Sequence, residues 1–342
     1  MRRFEKAVTD AVTVSLTQDQ FDALVSFCPA PDSRTLTSDL RWKPVGDLRV
    51  GDALLGIDEF PTLHGAKPGA RHRTRRLRPQ TLVQAIRCVK ADRVRVILDR
   101  AEIIVTPQHY FLARNPRHDL TWHWRKAIEL TPKWETHYLP PFLAESSRDA
   151  GWLAGIFDGE GYLTRVGSRD KTPRVGFSQN PGRVLDDALD IAKSYGFPFT
   201  AYQPSTVRAV NVVMSSTHKI IDFLGRIRPV RLLEKIPQVL QDSTLKRFPR
   251  ARVLCVEPVA PGEVVMIQTS TNTLFTEGLV SHNCFNVGIS AFRGSTLLKV
   301  LNQGRFSEVP GELRKWSKAR GVVIQGLVNR REKEIALWNG DT

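Results

Sequence analysis

The chain has 342 residues, 41% of them hydrophobic, enough for two or three cored domains. Its net charge of +15 directs the search for partners to anionic polymers: nucleic acid, cell wall or membrane surface. No apolar run reaches a membrane-spanning length and the start, "MRRFEKAVTDAV", has no apolar signal core, so neither a span nor a secretory leader is expected. The four cysteines, Cys28, Cys88, Cys255 and Cys284, show neither close pairing nor metal-ligand spacing. A reduced compartment with singly acting thiols is the default for such a set.

Residues 16–27, "LTQDQFDALVSF", open as a helix. Thr17 and Gln20 fit a capping box, Leu16 and Phe21 fit a hydrophobic staple, and Phe21, Leu24 and Val25 form the apolar face. Pro29 and Pro31 in "CPAPDS" stop it. From 35 to 112 the pattern is short strands and turns, with "TLVQAIRCVK", "VRVIL" and "EIIVT" as β-rich runs and a polar loop over 65–80 holding Arg71, Arg73, Arg75, Arg76 and Arg78. Near 149 the period changes. "GWLAGIFDGEG" reads as a small-residue helix, followed by strands near 162–166 and 173–179, a helix at 183–195, strands near 198–203 and 207–214, and the helix "THKIIDFLGRI". The stretch "RVLCVEPVAPGEVVMIQTSTNTLFTEGLVSHN" is β and turns again. From 284 the chain is helical, with "TLLKVLNQG" placing Gly304 as a C-terminal glycine and "GLVNRREKEIALW" amphipathic. A helical pattern interrupted and resumed, around a β pattern itself interrupted and resumed, predicts nested insertion.

Joining Phe27 to Cys284 makes one helical stripe. Cys284 and Phe285 fall seven and eight places after Phe21, continuing the i, i+3, i+4 spacing of Leu24 and Val25. The chemistry at the borders is more specific than this phase. The carbonyl before a cysteine can pass to its thiol, and a second thiol can take the acyl group by exchange. An asparagine side-chain amide can attack its own backbone carbonyl and break the following bond, with a neighbouring histidine moving protons. Cys28 stands at one border and His282-Asn283-Cys284 at the other.

On these residues the segment 28–283 resembles an intein of the Hint fold. Cys28 with "DSRTLT" is similar to the family's start block, "TPQH" to its Thr/His block, and "TEGLVSHNC" to its end block. The resemblance implies Cys28 as first nucleophile, Thr106 and His109 as oxyanion and acid/base helpers, Cys284 as branching nucleophile, Asn283 as the cyclising residue and His282 as its assistant. Many members carry a histidine about ten residues before the penultimate one, where this chain has Asn272.

"LAGIFDGEG", Leu153–Gly161, resembles the signature of LAGLIDADG homing endonucleases, and the αββαββα order over 146–248 agrees. The resemblance implies that Glu160 is a catalytic acid holding Mg²⁺, and that small residues at Ala154, Gly155 and Gly159 let two such helices approach. It also implies a strand saddle meeting double-stranded DNA through Arg165, Arg169, Lys171, Arg174 and Arg208. The later "IIDFLGRIRPVRLL" lacks the acid-glycine ending, so a single unit would need a second copy, as a homodimer, or would be a decayed nuclease that only binds DNA. The flanks 16–27 and 284–339 resemble the C-terminal part of phage-type lysozymes of glycoside hydrolase family 24, whose substrate is peptidoglycan. The catalytic glutamate context of that family is not found in 1–27, so the host domain is expected to be incomplete.

The expected fold class is an all-β Hint module with an inserted α/β LAGLIDADG unit between α-helical lysozyme-like segments. The expected parts are 1–27, 28–145, 146–248, 249–283 and 284–342. Splicing would need no cofactor and would proceed in the cytoplasm of a bacterial host, whereas the complete lysozyme would act at the cell wall. The competing expectations are a basic DNA-binding protein without self-processing and a chain acting only as a cell-wall hydrolase.

Overall fold

The computed structural model describes Val14 and residues 28–64, 72–117, 121–166, 172–282, 294–319, 322–323 and 325–340. The helix expected from joining 16–27 to 284–292 lies outside these residues, as do Asn283, Cys284, Arg169 and Lys171.

An eleven-stranded antiparallel sheet forms the body. Its path runs from Trp42–Pro44 through Arg34–Leu36, Thr273–Thr276, Leu279–His282, Tyr110–Arg114 and Glu135–His137. It continues through Arg250–Thr269 and Leu77–Leu98 to Ala53–Ile57, and Glu102–Val105 and His123–Lys126 branch from it. Strands from both sides of the sequence gap 149–248 therefore interleave, as a module interrupted by an insertion requires. The strands Leu77–Leu98 and Arg250–Thr269 pair as a long ribbon from Val253↔Leu98 to Thr269↔Val83. "TLVQAIRCVK" and "VRVIL", expected as separate runs, are parts of that one strand. The intervening "ADR" contains neither glycine nor proline, and the strand runs through it without a break. Its partner slips register between Val259 and Gly262, at Pro261, a residue with no N–H to give the ladder.

The 65–80 stretch departs from the polar loop expected of it. Residues His72–Thr74 pair with Thr62–His64, and the ribbon strand begins at Leu77. Arg75 and Arg78 turn toward the body of the fold. Arg75 Nε donates to the Glu59 carbonyl (3.1 Å) and Arg78 Nε to Asp58 (2.7 Å).

Residues 146–248 contain a separate four-stranded antiparallel sheet in the order Tyr162–Val166, Thr172–Gln179, Val210–Met214, Thr200–Tyr202. The helices Arg148–Gly159, Arg183–Ser194 and Thr217–Ile227 accompany it, in the αββαββα order read from the sequence. Ser147 caps the first, its hydroxyl accepting from Ala150 N–H (3.1 Å). Leu163, Val175, Phe177, Val212 and Met214 are buried, and Phe157, Phe177, Phe197 and Phe223 form an aromatic centre with ring separations of 4.6–5.2 Å.

At the C-terminal end, helix Thr296–Asn302 is capped by Ser295 and closed by Gly304 at φ +71, as its sequence predicts. Helix Val309–Arg314 packs both against it and against Gln325–Asn339. Their apolar residues Leu297, Leu301, Val309, Leu313, Ile335 and Trp338 share one buried cluster with Val89, Val264 and Met266 of the ribbon, and with Cys28. No helix among the described residues is long and apolar enough to cross a membrane.

Candidate functional site

Cys28, the first residue of the 28–283 segment, is tied to Thr106, and His282, next to its last residue, lies close enough to His109 to act on it electrostatically. Cys28 is buried, and its backbone N–H donates to Thr106 Oγ1 (3.0 Å) while Thr106 N–H donates to the Cys28 carbonyl (2.9 Å). Ala30 N–H reaches the Ile104 carbonyl (2.9 Å), and Val265 N–H the Pro29 carbonyl (2.7 Å). The start of the 28–283 segment is thus held between strand Glu102–Val105 and the ribbon. The Cys28 N–H is the nitrogen that any acyl shift at this border must release, and a threonine hydroxyl already accepts from it.

"TPQH" closes as a turn, with His109 N–H donating to the Thr106 carbonyl (3.0 Å). His109 is buried against Phe111 (4.7 Å between rings), and neither of its ring nitrogens has a hydrogen-bond partner among the described residues. Burial, with the nearby His282 acting in the same direction, pushes its pKa down to about 3. At neutral pH it is therefore an uncharged imidazole, able to give one proton and take another.

His282 ends strand Leu279–His282, which is set by a two-residue turn at Glu277 (φ +46) and Gly278 (φ +81). The neighbouring pair Ser281↔Phe111 aligns this strand with the one that follows His109. The His282 imidazole is buried, with Trp124 edge-on at 5.0 Å, and its Nε2 lies 2.9 Å from Glu59 Oε1. Glu59 Oε2 accepts from Asn272 Nδ2 (2.8 Å), and the Glu59 carbonyl accepts from Trp124 Nε1 (3.0 Å). Burial lowers the Arg75 pKa to about 10, with Glu59 and Asp58 opposing the shift. Of the residues singled out from sequence, the structure gathers Cys28, Thr106, His109 and His282. Glu59 was missed: it is 223 residues from His282, and "GIDEF" has no spacing that links it to a border.

Glu160 occupies the C-terminal cap of helix Arg148–Gly159 and is exposed. The helix end is fixed by Asp158, whose carboxylate accepts from Val230 and Arg231 N–H (3.1 and 2.9 Å), and by Arg231, which donates to the Phe157, Asp158 and Gly161 carbonyls. Among the described residues no three His, Cys, Asp or Glu side chains gather as metal ligands, so Glu160 alone does not complete a Mg²⁺ donor set in one chain. Gly151, Gly155 and Gly159 all face open space. The basic candidates divide. Arg174 pairs with Thr164 on the face opposite Val175, and Arg208 is exposed in the loop before Val210–Met214. Arg165 shares the side of buried Leu163 and lines a cavity of about 230 Å³ with Arg76, Lys246 and Arg247, away from the open face.

Residues 1–29 and 263–334 match the model of the phage lysozyme family. An endolysin of Bacillus phage PZA is 50% identical over 66 residues, covering 19% of this chain and 25% of the relative. A SAR-endolysin of Escherichia phage Mu is 47% identical over 55 residues, covering 16% and 32%. The chain thus spans a quarter to a third of the length of these curated relatives. Among solved structures, the gp41-1 intein is similar at a TM-score of 0.33 and 9% identity, covering 75% of this chain and 99% of that one. A DnaB intein from Synechocystis is similar at a TM-score of 0.33 and 10% identity, covering 76% and 100%. The chain is similar in sequence to phage lysozymes at its two ends, and inteins are among the solved structures it is similar to.

Proposed function

We propose that residues 28–283 excise themselves and that Phe27 is ligated to Cys284. The observation that supports this is the Cys28 N–H on Thr106 Oγ1 and the buried, uncharged His109 next to it, with His282 close enough to shift its titration. In the first step Cys28 Sγ attacks the Phe27 carbonyl carbon. A C–S bond forms, the C–N bond to Cys28 breaks, and the thiol proton goes to the released nitrogen, with His109 as the carrier. Thr106, which already orders that nitrogen, holds the amide in a fixed orientation. The Cys284 thiolate then takes the acyl group by thioester exchange. Asn283 Nδ2 attacks its own carbonyl carbon, the bond to Cys284 breaks, and its amine receives a proton. The freed amine displaces sulfur, leaving a peptide bond.

A second reading concerns 146–248. The αββαββα order, the exposed Glu160 at a pinned helix end and the open glycine stripe favour a homodimeric DNA endonuclease in which two Glu160 carboxylates come together with Mg²⁺. One chain supplies half of that donor set, so no cleavage step is derived for it. Double-stranded DNA would lie on the open sheet face with Arg174. The host, a lysozyme acting on peptidoglycan, is a proposal of the same standing, resting on the sequence likeness of both ends.

Intact mass after expression tests the main reading. The excised piece has 256 residues and the ligated one 86. Full-length chain alone, under reducing conditions and across a range of temperatures, refutes it.

A further inference from the structure

We propose that Glu59 is the positioning residue for the C-terminal cut, holding His282 in the tautomer that carries its proton on Nε2. This rests on the splicing reading above. The family resemblance leaves the C-terminal step without its usual second histidine, since Asn272 stands in that place. The structure shows what the asparagine does instead. Asn272, at φ +60, gives an Nδ2 proton to Glu59 Oε2 (2.8 Å), and Glu59 Oε1 faces His282 Nε2 (2.9 Å). One carboxylate therefore has one oxygen occupied by an amide and the other presented to the imidazole.

The hold is built from several directions. The Glu59 carbonyl accepts from Trp124 Nε1 and Arg75 Nε, so the backbone of residue 59 is fixed at two points. The Trp124 ring stands at 82° to His282 with centroids 5.0 Å apart and limits how the imidazole can turn. The Glu59 side chain is only 14% exposed and His282 only 4%, so water competes weakly for the contact. An ionised carboxylate accepts and cannot donate. With Glu59 ionised, Nε2 carries a hydrogen, and in the neutral form of the ring Nδ1 is then the basic nitrogen. In the cyclisation step the Asn283 side-chain nitrogen bonds to its own carbonyl carbon and the peptide C–N bond to Cys284 breaks. The proton lost by the attacking amide passes to the leaving Cys284 nitrogen, and a ring with an unprotonated Nδ1 can carry it. Glu59 exchanges no proton in this scheme. It acts through His282.

Glu59→Gln is the informative variant because it keeps the shape and reverses the polarity. Asn272 keeps the new amide's oxygen on its own side, which turns the amide NH₂ toward His282 Nε2 and forces the ring hydrogen onto Nδ1. In a Cys28→Ala background, which isolates the C-terminal cut, Glu59→Gln is expected to slow cleavage by about tenfold or more. In an Asn283→Ala background, thiol-induced cleavage before Cys28 is expected to keep its rate. The ¹⁵N shifts of the His282 ring should show Nε2–H in the parent and Nδ1–H in the variant. A merely structural contact would move neither the tautomer nor the ratio of the two cuts. Equal C-terminal rates for the Glu59→Gln and parent chains, or a ring that stays Nε2–H in both, overturns the proposal. A parent that makes neither cut overturns the splicing reading instead, and the ring spectrum still reads the Glu59 hold separately.

Discussion

Acidification should unfold this protein through its buried imidazoles. His109 and His137 are both buried, and burial pushes each pKa from 6.5 down to about 3; for His137, Arg250, Arg114 and Arg75 act in the same direction. In the folded chain these rings stay neutral, whereas in the unfolded chain they take up a proton below pH 6.5. Between about pH 6.5 and 3 the unfolded state therefore binds more protons, and stability falls as pH falls. From pH 7 to pH 5 each ring accounts for about 2 kcal/mol of lost stability, which sums to about 4 kcal/mol. His218, half-buried and shifted down by the same desolvation, adds in the same sense, while Asp222, shifted up by burial, opposes. The measurement is the urea midpoint of a Cys28→Ala/Asn283→Ala chain, which stays intact, at several pH values. His109→Gln in that background should flatten the pH dependence by about 2 kcal/mol over the same interval, whatever its effect at pH 7. An unchanged slope in that variant would show that His109 titrates normally and would refute the reasoning.

Three further outcomes follow from named contacts. Asn283→Ala should stop cyclisation yet leave the chain cleavable before Cys28 by an added thiol, whereas Cys28→Ala should lose that cut; mass spectrometry distinguishes them. Gly278→Ala should destabilise by about 2 kcal/mol or more, because φ +81 is strained for any Cβ and that atom would lie 2.4 Å from the Leu139 carbonyl oxygen; a urea midpoint unchanged from the parent would exclude this. Gly155→Leu should leave the fold of the chain intact, since a Cβ added there meets nothing within 4 Å, but should abolish a homodimer built on that helix face, as sedimentation would show.

Legibility differed between local and distant features. The helix stop at Gly304 and the αββαββα order follow from neighbours in sequence, and elements there agree with the pattern within a few residues. The two-residue turn at Glu277 and Gly278 is equally local. The long ribbon was read as fragments because alternation alone does not say where a strand ends. Arg75 was assigned to a solvated loop because nothing nearby in the chain reveals Glu59 and Trp124 folding over it. Charge alone puts Arg165 among the DNA-facing candidates, whereas its place on the strand, on the side of buried Leu163, depends on pairings that charge does not encode. Glu59 was invisible for the same reason as Arg75: its partners, His282 and Asn272, arrive from beyond the inserted unit.

The cluster that joins Cys28 to the C-terminal helices makes the thiol a reporter of their docking. Cys28 is 1% exposed, and it shares its buried surroundings with Leu297, Leu301, Ile335 and Trp338. A reagent in solution reaches such a sulfur only when the cover opens. Its modification rate is then the opening equilibrium multiplied by the intrinsic rate of an exposed thiol. Anything that loosens those helices, such as mild urea or Leu301→Ala, should quicken labelling of Cys28 well before the large sheet unfolds. Cys88 and Cys255, partly exposed on the ribbon, supply the internal reference. The rate at which one thiol is labelled would then measure the integrity of helices that lie almost three hundred residues further along the chain.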